Sequence, residues 1–433
     1  MWRKLLDQFL TGMMVRDRLT VHFADGSRHS YGPDTGEEAT VRLHDDAILR
    51  AICLNPSLGT GEGYMDARIT FPDAGLERTL KILARNRDAG RLPAWYEATN
   101  KARFHIRQFV QKNTPNRARA NVAHHYDISD DLYARFLDTD MQYSCGYFSD
   151  PDMTLEEAQA AKKAHIGAKL LIEPGIHVLD IGCGWGGMAL TLARDFGARV
   201  TGITLSQNQL ATAQRRAREA GLEDRVHFRL EDYRHTRGKF DRIVSVGMLE
   251  HVGVPNYGTY FDRLSELLHE DGIALIHTIG RSAPPMSHDP WIHKYIFPGG
   301  YVPSLSELAT PMERANLWQS DIEIWRLHYA RTLRHWRSRF NVQRTEIEAQ
   351  YDARFIRMFE YYFTACIVAF EEQMQAVYHF QLAHKRDAVP LTRGYLYPDA
   401  GKPIERLRPV AAARGKRAGG KKHAFTDPVE AAE

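Results

Sequence analysis

The sequence predicts an α/β protein: a mostly parallel sheet with a small α+β domain ahead of it. Three observations predict it. An apolar run, Ile176 to Ile181, ends in a cluster of glycines, and an apolar helical pattern begins near Met188; strand, glycine turn and helix open a nucleotide-binding α/β unit. Four further strand-like runs follow, alternating with helical ones, which implies parallel pairing with right-handed crossovers. Polar and glycine-rich residues gather after the carboxyl ends of those runs, the edge at which such sheets bind ligands.

Composition sets the bounds. A chain of 433 residues suits two or three domains and buries a sizeable core. A net charge of +3 is too small to argue for nucleic acid. Cys53, Cys145, Cys183 and Cys366 form no C-x-x-C pair and no disulfide spacing, so a reducing cytosol is expected. No metal site is expected. No apolar run is long enough to span a bilayer, and no signal-peptide pattern opens the chain.

The N-terminal domain is expected over residues 1–110. Trp2 to Phe9 mixes Leu5, Leu6 and Phe9 with Arg3, Lys4 and Asp7, an amphipathic helix that reads as domain-starting rather than membrane-seeking. Leu19 to Phe23 alternates, Ala24 to Ser27 turns, and His29 to Tyr31 returns, a hairpin. Thr40 to Leu43 is a short strand. Asp45 to Cys53 is helical and stops at Asn55-Pro56. Leu58 to Tyr64 carries three glycines but no Gly-Lys-Ser/Thr ending, so it reads as a flexible turn, not a phosphate loop. Phe71 to Asn86 is a helix with Leu76, Leu80 and Leu83 on one side. No catalytic constellation stands here; the module either binds lipid or supports the enzyme.

Residues 111–122 are polar and basic and read as a linker. The catalytic domain follows over 123–395. His125-Tyr126-Asp127 and Met141 to Phe148 pack aromatics, hydroxyls and Cys145 together, which suits a lid over a substrate. Asp152 to Leu171 is a long helix with Ala158, Ala161, Ile166 and Leu170 inward. Gly182, Gly184 and Gly186 miss the dinucleotide pattern G-x-G-x-x-G, and Asp180 precedes them. This D-x-G-x-G-x-G arrangement resembles the S-adenosylmethionine (SAM) loop of class I methyltransferases.

Further strands are expected at Arg199 to Thr204, Val226 to Leu230, Phe240 to Val246 and Ile273 to Thr278. Their ends carry Thr204 to Gln209, Glu231-Asp232, Met248 to His251 and His277 to Gly280, one shared edge. Ser287 to Pro303 reads as an aromatic cap loop. Ile322 to His328 alternates as a strand, Tyr329 to Phe340 and Ala353 to Met374 read as helices, and Val377 to Ala383 is a final antiparallel strand. Residues 396–433 form a basic tail, read as disordered.

His125 to Asp127, Tyr143 to Phe148, Val178 to Gly187, Ser245 to Gly253, Ile276 to Gly280 and Arg357 to Cys366 occur in that order. Together they resemble the cyclopropane-fatty-acyl-phospholipid synthase family, which is related to the mycolic acid cyclopropane synthases. The resemblance implies the Rossmann-like class I methyltransferase sheet of about seven strands, the last antiparallel. It also implies a reaction: SAM gives its methyl to a cis double bond of an acyl chain in membrane phospholipid. The resulting carbocation loses a proton from the new methyl and closes to a cyclopropane. An alkene is a poor nucleophile, so it must be held against the methyl sulfonium in a dry pocket. Aromatic faces stabilise the passing cation.

By the same resemblance, a bound bicarbonate accepts the proton, held by Cys145, Glu250, His277 and Tyr329, with Ile279 lining the pocket through its backbone. A Glu beside a His is expected to hold the anion through a shared proton network. Cys145 is not expected to act as a nucleophile. Cys366 joins the catalytic candidates, although its aromatic helix reads as buried structure. Tyr143 and Ser144 are expected near the methionine end of SAM, with Asp180, Gly182, Cys183, Gly184, Trp185 and Gly186 forming its loop. Thr204 and Leu205 replace the usual ribose-binding acid, Gln209 takes the ribose hydroxyls, and Glu231 or Asp232 meets the adenine amine.

The expected partners are unsaturated phospholipid acyl chains at the membrane surface, without nucleic acid; a homodimer is left open. Reaching an acyl chain implies a cytoplasmic enzyme peripherally associated with the inner face of the membrane. One rival reading is a methyltransferase giving a methylene- or methyl-branched chain, since the pocket motifs are shared. A non-catalytic lipid-binding relic would carry damaged SAM or base residues, and none is seen. A nucleic-acid methyltransferase would want an Asn/Asp-Pro-Pro-Tyr motif where Gly247-Met248-Leu249-Glu250 stands.

Overall fold

In a computed structural model, residues 1–72, 75–111 and 130–397 are described, the side chains of 108–110 excepted. The expected linker beyond Gln111, the His125-Tyr126-Asp127 motif and the basic tail beyond residue 397 lie outside the described residues.

The N-terminal module runs α1 (Trp2–Met13), β1 (Arg18–His22), β2 (Arg28–Tyr31), β3 (Glu38–Leu43), α2 (Ala47–Leu54), α3 (Pro56–Met65), β4 (Ile69–Thr70), α4 (Gly75–Ala89) and α5 (Ala94–Val110). β1 and β2 form the expected hairpin. β3 returns parallel to β1, giving the order β2-β1-β3-β4. Leu6, Phe9, Leu10 and Met13 of α1 are buried against this sheet's apolar face, so α1 starts a domain core.

The stretch expected as a flexible turn is helix α3. Pro56 occupies the first turn, where its missing N–H costs nothing, and Asn55 caps the helix by accepting from Leu58 N. Its glycines serve close packing. A Cβ at Gly59 would meet the Ala51 backbone, at Gly63 the Ile69 side chain, and at Gly61 the indole of Trp291.

The second module continues with α6 (Asp130–Phe136), α7 (Leu155–Lys169), β5 (His177–Ile181), α8 (Gly187–Phe196), β6 (Arg199–Thr204), α9 (Gln207–Glu219), β7 (Val226–Leu230) and β8 (Phe240–Val246). After it come α10 (Tyr257–Leu267), β9 (Leu268–Arg281), α11 (Pro290–Tyr295), α12 (Leu305–Arg314), β10 (Trp318–Trp325), α13 (His328–Val342), α14 (Arg344–Gln350), α15 (Ala353–Glu372) and β11 (Gln375–Ala383). The seven strands take the order β10-β11-β9-β8-β5-β6-β7. β5 through β9 pair in parallel, and β11 runs antiparallel between β9 and β10. The Rossmann-like class I methyltransferase sheet is therefore as expected, last strand included.

Two differences are informative. The expected cap loop contains α11, started by Asp289, whose carboxylate accepts from Trp291 N and Ile292 N. The helix expected from Asp152 begins at Leu155, behind a Thr154–Glu157 capping box. Its inner face buries Lys162, Lys163, His165 and Lys169 beside Ala158, Ile166 and Leu170, while Ala161 is half-buried.

Residues Met1–Val389 form one compact unit. α15 packs on α3 and α4, and Lys81–Glu371, Arg85–Glu372 and Arg334–Glu77 pairs cross the same seam. The described part of a second unit, Pro390 to Tyr397, contains one 3-10 turn at Arg393–Leu396.

The Gly61 contact gives a test of sign. Helix propensity alone favours Gly61→Ala by up to about 1 kcal/mol. The added Cβ would stand 2.3 Å from Trp291 Cδ1, on a fully buried ring, and overpacking of that kind costs about 1–3 kcal/mol. Urea unfolding should show a net loss of stability; a gain would mean that the seam yields freely.

Candidate active site

β5 ends at Ile181, and the chain turns back at once. Gly182 N and Cys183 N donate to Ile203 O of β6, so the turn is tied to the neighbouring strand end. Gly182 and Gly184 take φ of +81° and +54°, and a Cβ on Gly184 would meet no protein atom within 4 Å. That open space faces a cavity. Asp180, Gly182, Cys183, Gly184 and Trp185 form one wall, and Tyr143 with Ser144 forms another. Thr204, Leu205 and Gln209 follow after β6, and Glu231 with Asp232 after β7. Gly186 is the exception among the expected residues. It caps α8 in a left-handed conformation, where a Cβ would strike Phe228, and it does not line the cavity.

The polar groups of this cavity are held from behind. Lys162 of α7 is fully buried, and its Nζ donates to Gln142 Oε1 at 2.6 Å and Ser144 Oγ at 2.8 Å. Burial pushes its ammonium down to about 8. Asp138 Oδ1 accepts from Gln142 N at 2.7 Å, while Asp140 pairs with Lys163 and Arg216. Trp185 Nε1 donates to Asp130 Oδ1, which also accepts from Asn208. Thr204 Oγ1 donates to Gln209 Oε1 at 3.0 Å, leaving the Gln209 amide as donor. Burial raises the Asp180 carboxyl to about 7, and its Oδ2 has no hydrogen-bond partner among the described residues. Burial also acts on Asp232, but its hydrogen bonds to Arg234 outweigh it and hold the carboxyl below its ordinary value.

A second, larger cavity carries all six catalytic candidates: Cys145, Glu250, His277, Ile279, Tyr329 and Cys366. Glu250 sits in a 3-10 turn after β8. Its Oε1 accepts from Ile279 N at 2.6 Å, its Oε2 has no hydrogen bond within 3.5 Å among the described residues, and burial raises the carboxyl to about 7. His277 of β9 lies with Nδ1 2.7 Å from Nε2 of His379 on β11. Glu250 and His277 therefore do not bond each other; any network they share runs through a group placed between them. Tyr329 of α13 packs its ring on Phe370. Burial pushes the Cys145 thiol well up and that of Cys366 to about 12, so neither is a thiolate near neutrality. Cys366 is half-buried on the cavity wall rather than sealed in the core.

The two cavities meet. Tyr143, Ser144, Gly247, His251 and Phe297 line both. Tyr143 OH lies 2.9 Å from Tyr362 OH, and the Phe297 ring packs at 5.9 Å from that of Tyr362. Away from this junction the larger cavity runs into the N-terminal module, past Phe9, Leu10, Val21 and Leu43. Among the described residues, His165, Glu323 and His379 bring metal-ligand-type atoms within 4.8 Å of one another; Lys169 Nζ already stands 2.7 Å from Glu323 Oε2.

A family model described as mycolic acid cyclopropane synthetase matches residues 113–380. The chain belongs to that family. A domain of unknown function matches residues 5–89. The cyclopropane-fatty-acyl-phospholipid synthase of Escherichia coli is 40% identical over 334 residues, 77% of this chain and 84% of that protein. The tuberculostearic acid methyltransferase UfaA1 of Mycobacterium tuberculosis is 35% identical over 352 residues, 78% of this chain and 81% of that protein. Among solved structures, the cyclopropane synthase MmaA2 of M. tuberculosis superposes with a TM-score of 0.59 at 32% identity, covering 61% of this chain and 98% of that one. The mycolic acid cyclopropane synthase CmaA1, complexed with SAH and CTAB, gives 0.58 at 32% identity, covering 61% and 97%.

Lys162, Asp130, Asp140, Tyr362 and His379 were not legible as site residues. Lys162 carries no motif, and only its place among the apolar positions of α7 hints at burial.

The Glu250 carboxyl yields a pH test. Its folded value, about 7, exceeds the ordinary 4.5. Between them the native state holds a proton that the unfolded chain has lost, so this group's stability term falls as pH rises through that window. Glu250→Gln removes the term. From about pH 5 to about pH 8 the variant's Tm should fall less than the parent's; parallel curves would show that Glu250 is already ionised at low pH.

Proposed function

We propose that this chain is a cyclopropane-fatty-acyl-phospholipid synthase. It transfers the methyl of SAM to a cis double bond of an unsaturated acyl chain in membrane phospholipid, and loss of a proton closes the ring. The observation that carries the reading is the meeting of the two cavities at Tyr143, Ser144, Gly247, His251 and Phe297. The glycine-turn cavity suits SAM. The larger one is mostly apolar and continues into the N-terminal module, as an acyl chain requires. The crystal structure of CmaA1 complexed with SAH and CTAB supports a family site that takes two ligands at once.

The chemistry follows from the walls. Placing alkene and sulfonium in contact without water removes much of the entropic barrier. The rings of Tyr143, Phe297 and Tyr362 around the junction offer π faces to a passing carbocation. The family reading calls for a proton acceptor of small size. Glu250 Oε2 has no hydrogen bond within 3.5 Å among the described residues, and it stands in the cavity wall on a carboxyl that burial keeps substantially protonated near neutrality, so it can donate to a ligand there. That fits a small oxyanion. Glu250, His277 and Tyr329 would hold bicarbonate, and when bound it would supply the base. Cys145 and Ile279 shape the same wall.

No helix among the described residues is long and apolar enough to cross a membrane. The enzyme acts from the cytoplasmic side as a peripheral protein, drawing an acyl chain out of the bilayer. Similarity to UfaA1 over 78% of the chain favours one second reading, a fatty acid methyltransferase with a branched product.

Two experiments test this. Mass spectrometry of phospholipid fatty acids from expressing cells should show a gain of one CH2 as a saturated ring, lost in Glu250→Gln. The same gain as a branch or exocyclic methylene would select the second reading, and no gain despite SAM binding would remove the lipid assignment. Leu80→Trp fills the cavity's N-terminal arm. It should lower ring formation with SAM affinity unchanged by calorimetry; full activity would exclude that arm from acyl binding.

A further inference from the structure

Arg281 ends β9, the strand that also carries His277 and Ile279. Residues two apart on a strand share a face, and all three line the larger cavity. The Arg281 side chain is 8% exposed. Its Nε donates to Val302 O at 3.2 Å, and no carboxylate among the described residues pairs with it. The carboxylate acting on it from a distance, Glu307, is engaged by Arg107, Tyr301 OH and Ser304 N. A guanidinium keeps its charge at any ordinary pH, and a buried charge without a counter-ion is costly. Arg87 of α4 lines the same cavity from the N-terminal module, and among the described residues it pairs only with its exposed neighbour Asp88. Burial, with Arg87 adding to it, pushes the Arg281 guanidinium below its ordinary value. Two cations thus face the same cavity, and the better buried one has no paired anion among the described residues.

We propose that Arg281, with Arg87 across the module seam, is the binding site for the phosphate of the lipid headgroup. This rests on the function proposed above and adds to it the group by which the substrate is gripped. Arg281 and His277 are four residues apart, roughly 13 Å along the strand. The strand then acts as a ruler. It sets how far from the phosphate a double bond lies when it reaches the junction. The planar fork of Arg281 suits two phosphate oxygens, and the walls between it and His277 are apolar enough to take the chain.

The test uses the full-length protein, SAM and two lipids in mixed micelles: dioleoyl-phosphatidylglycerol, and dioleoylglycerol, which lacks the phosphate. Arg281→Met should raise KM for the phospholipid by roughly tenfold to a hundredfold, the range for a hydrogen bond to a charged partner. kcat at saturation and SAM affinity should stay near the parent's. Turnover of dioleoylglycerol, already poor in the parent, should not fall further. Arg281→Lys should recover part of the loss, and Arg87→Met should add a smaller one. Inorganic phosphate should compete with the phospholipid in the parent and lose potency in Arg281→Met; equal potency in both would place phosphate recognition elsewhere and overturn the proposal. Equal losses on both lipids, or equal losses in the Met and Lys variants, would make Arg281 structural. A parent that converts neither lipid refutes the function, whereas a parent active on phospholipid with an unaffected Arg281→Met refutes only the phosphate site.

Discussion

Water has to be kept from the place where the two cavities meet, and much of the architecture follows from that constraint. A carbocation beside water is lost to it, and an alkene competes poorly with any better nucleophile. The junction is built mostly from rings and backbone, Tyr143, Gly247, His251 and Phe297, with Tyr362 behind them and the Ser144 hydroxyl held by Lys162. Phe297 comes from the aromatic segment after β9. The seam between modules closes the cavity further out, through α3 and α4 on α15. The glycines of α3 let that seam close tightly. The N-terminal module is thus part of the cavity wall, and its core residues Leu6, Phe9, Val21 and Leu43 line that apolar interior.

Polar groups inside such a wall must be satisfied or neutral. Lys162 is satisfied: it bonds Gln142 and Ser144 and stands within electrostatic reach of Asp138 and Asp180. Asp140 is satisfied between Lys163 and Arg216. Glu250 and Asp180 each keep, among the described residues, one buried oxygen without a hydrogen bond within 3.5 Å, and burial raises both carboxyls to about 7. Both line a cavity, and raised acids on a cavity wall are candidates for ligand contact.

The sheet was legible because parallel strands buried on both faces read as apolar runs, and glycine-turn chemistry marks the first of them. Ile176 to Ile181, Arg199 to Thr204 and Phe240 to Val246 needed no long-range information. The cavity walls were legible for a related reason: a parallel sheet puts its ligands at one edge, so Thr204, Glu231 and Glu250 could be grouped by strand order alone. What failed needed tertiary contacts. Leu58 to Tyr64 looked like a turn because three glycines weaken a helix; only Ala51, Trp291 and Ile69 explain why nothing larger fits there. Gly186 looked like its two motif neighbours, yet Phe228 dictates it. His379 looked like any strand histidine until β11 placed it opposite His277. Lys162 and Lys169 are fully buried although lysine is almost never buried, so residue type alone gives no sign of their role.

Dryness also explains why the site can sit beside a methylating agent without methylating itself. A thiolate, a carboxylate or a free imidazole at the junction would compete with the alkene for the methyl. Burial removes the thiolates by holding Cys145 and Cys366 as thiols. It reduces the carboxylate by raising Glu250 to about 7, and Ile279 N occupies one of its oxygens. For His277 burial works the other way, keeping the ring neutral and therefore with a lone pair. Its Nδ1 is engaged by His379, and the Trp325 ring packs T-shaped against it at 5.5 Å. For thiols and carboxyls, the conditions that favour a weak nucleophile here are the same ones that weaken its stronger rivals. A small diffusible base suits such a site better than a protein side chain, because it can be replaced if methylated whereas a side chain cannot.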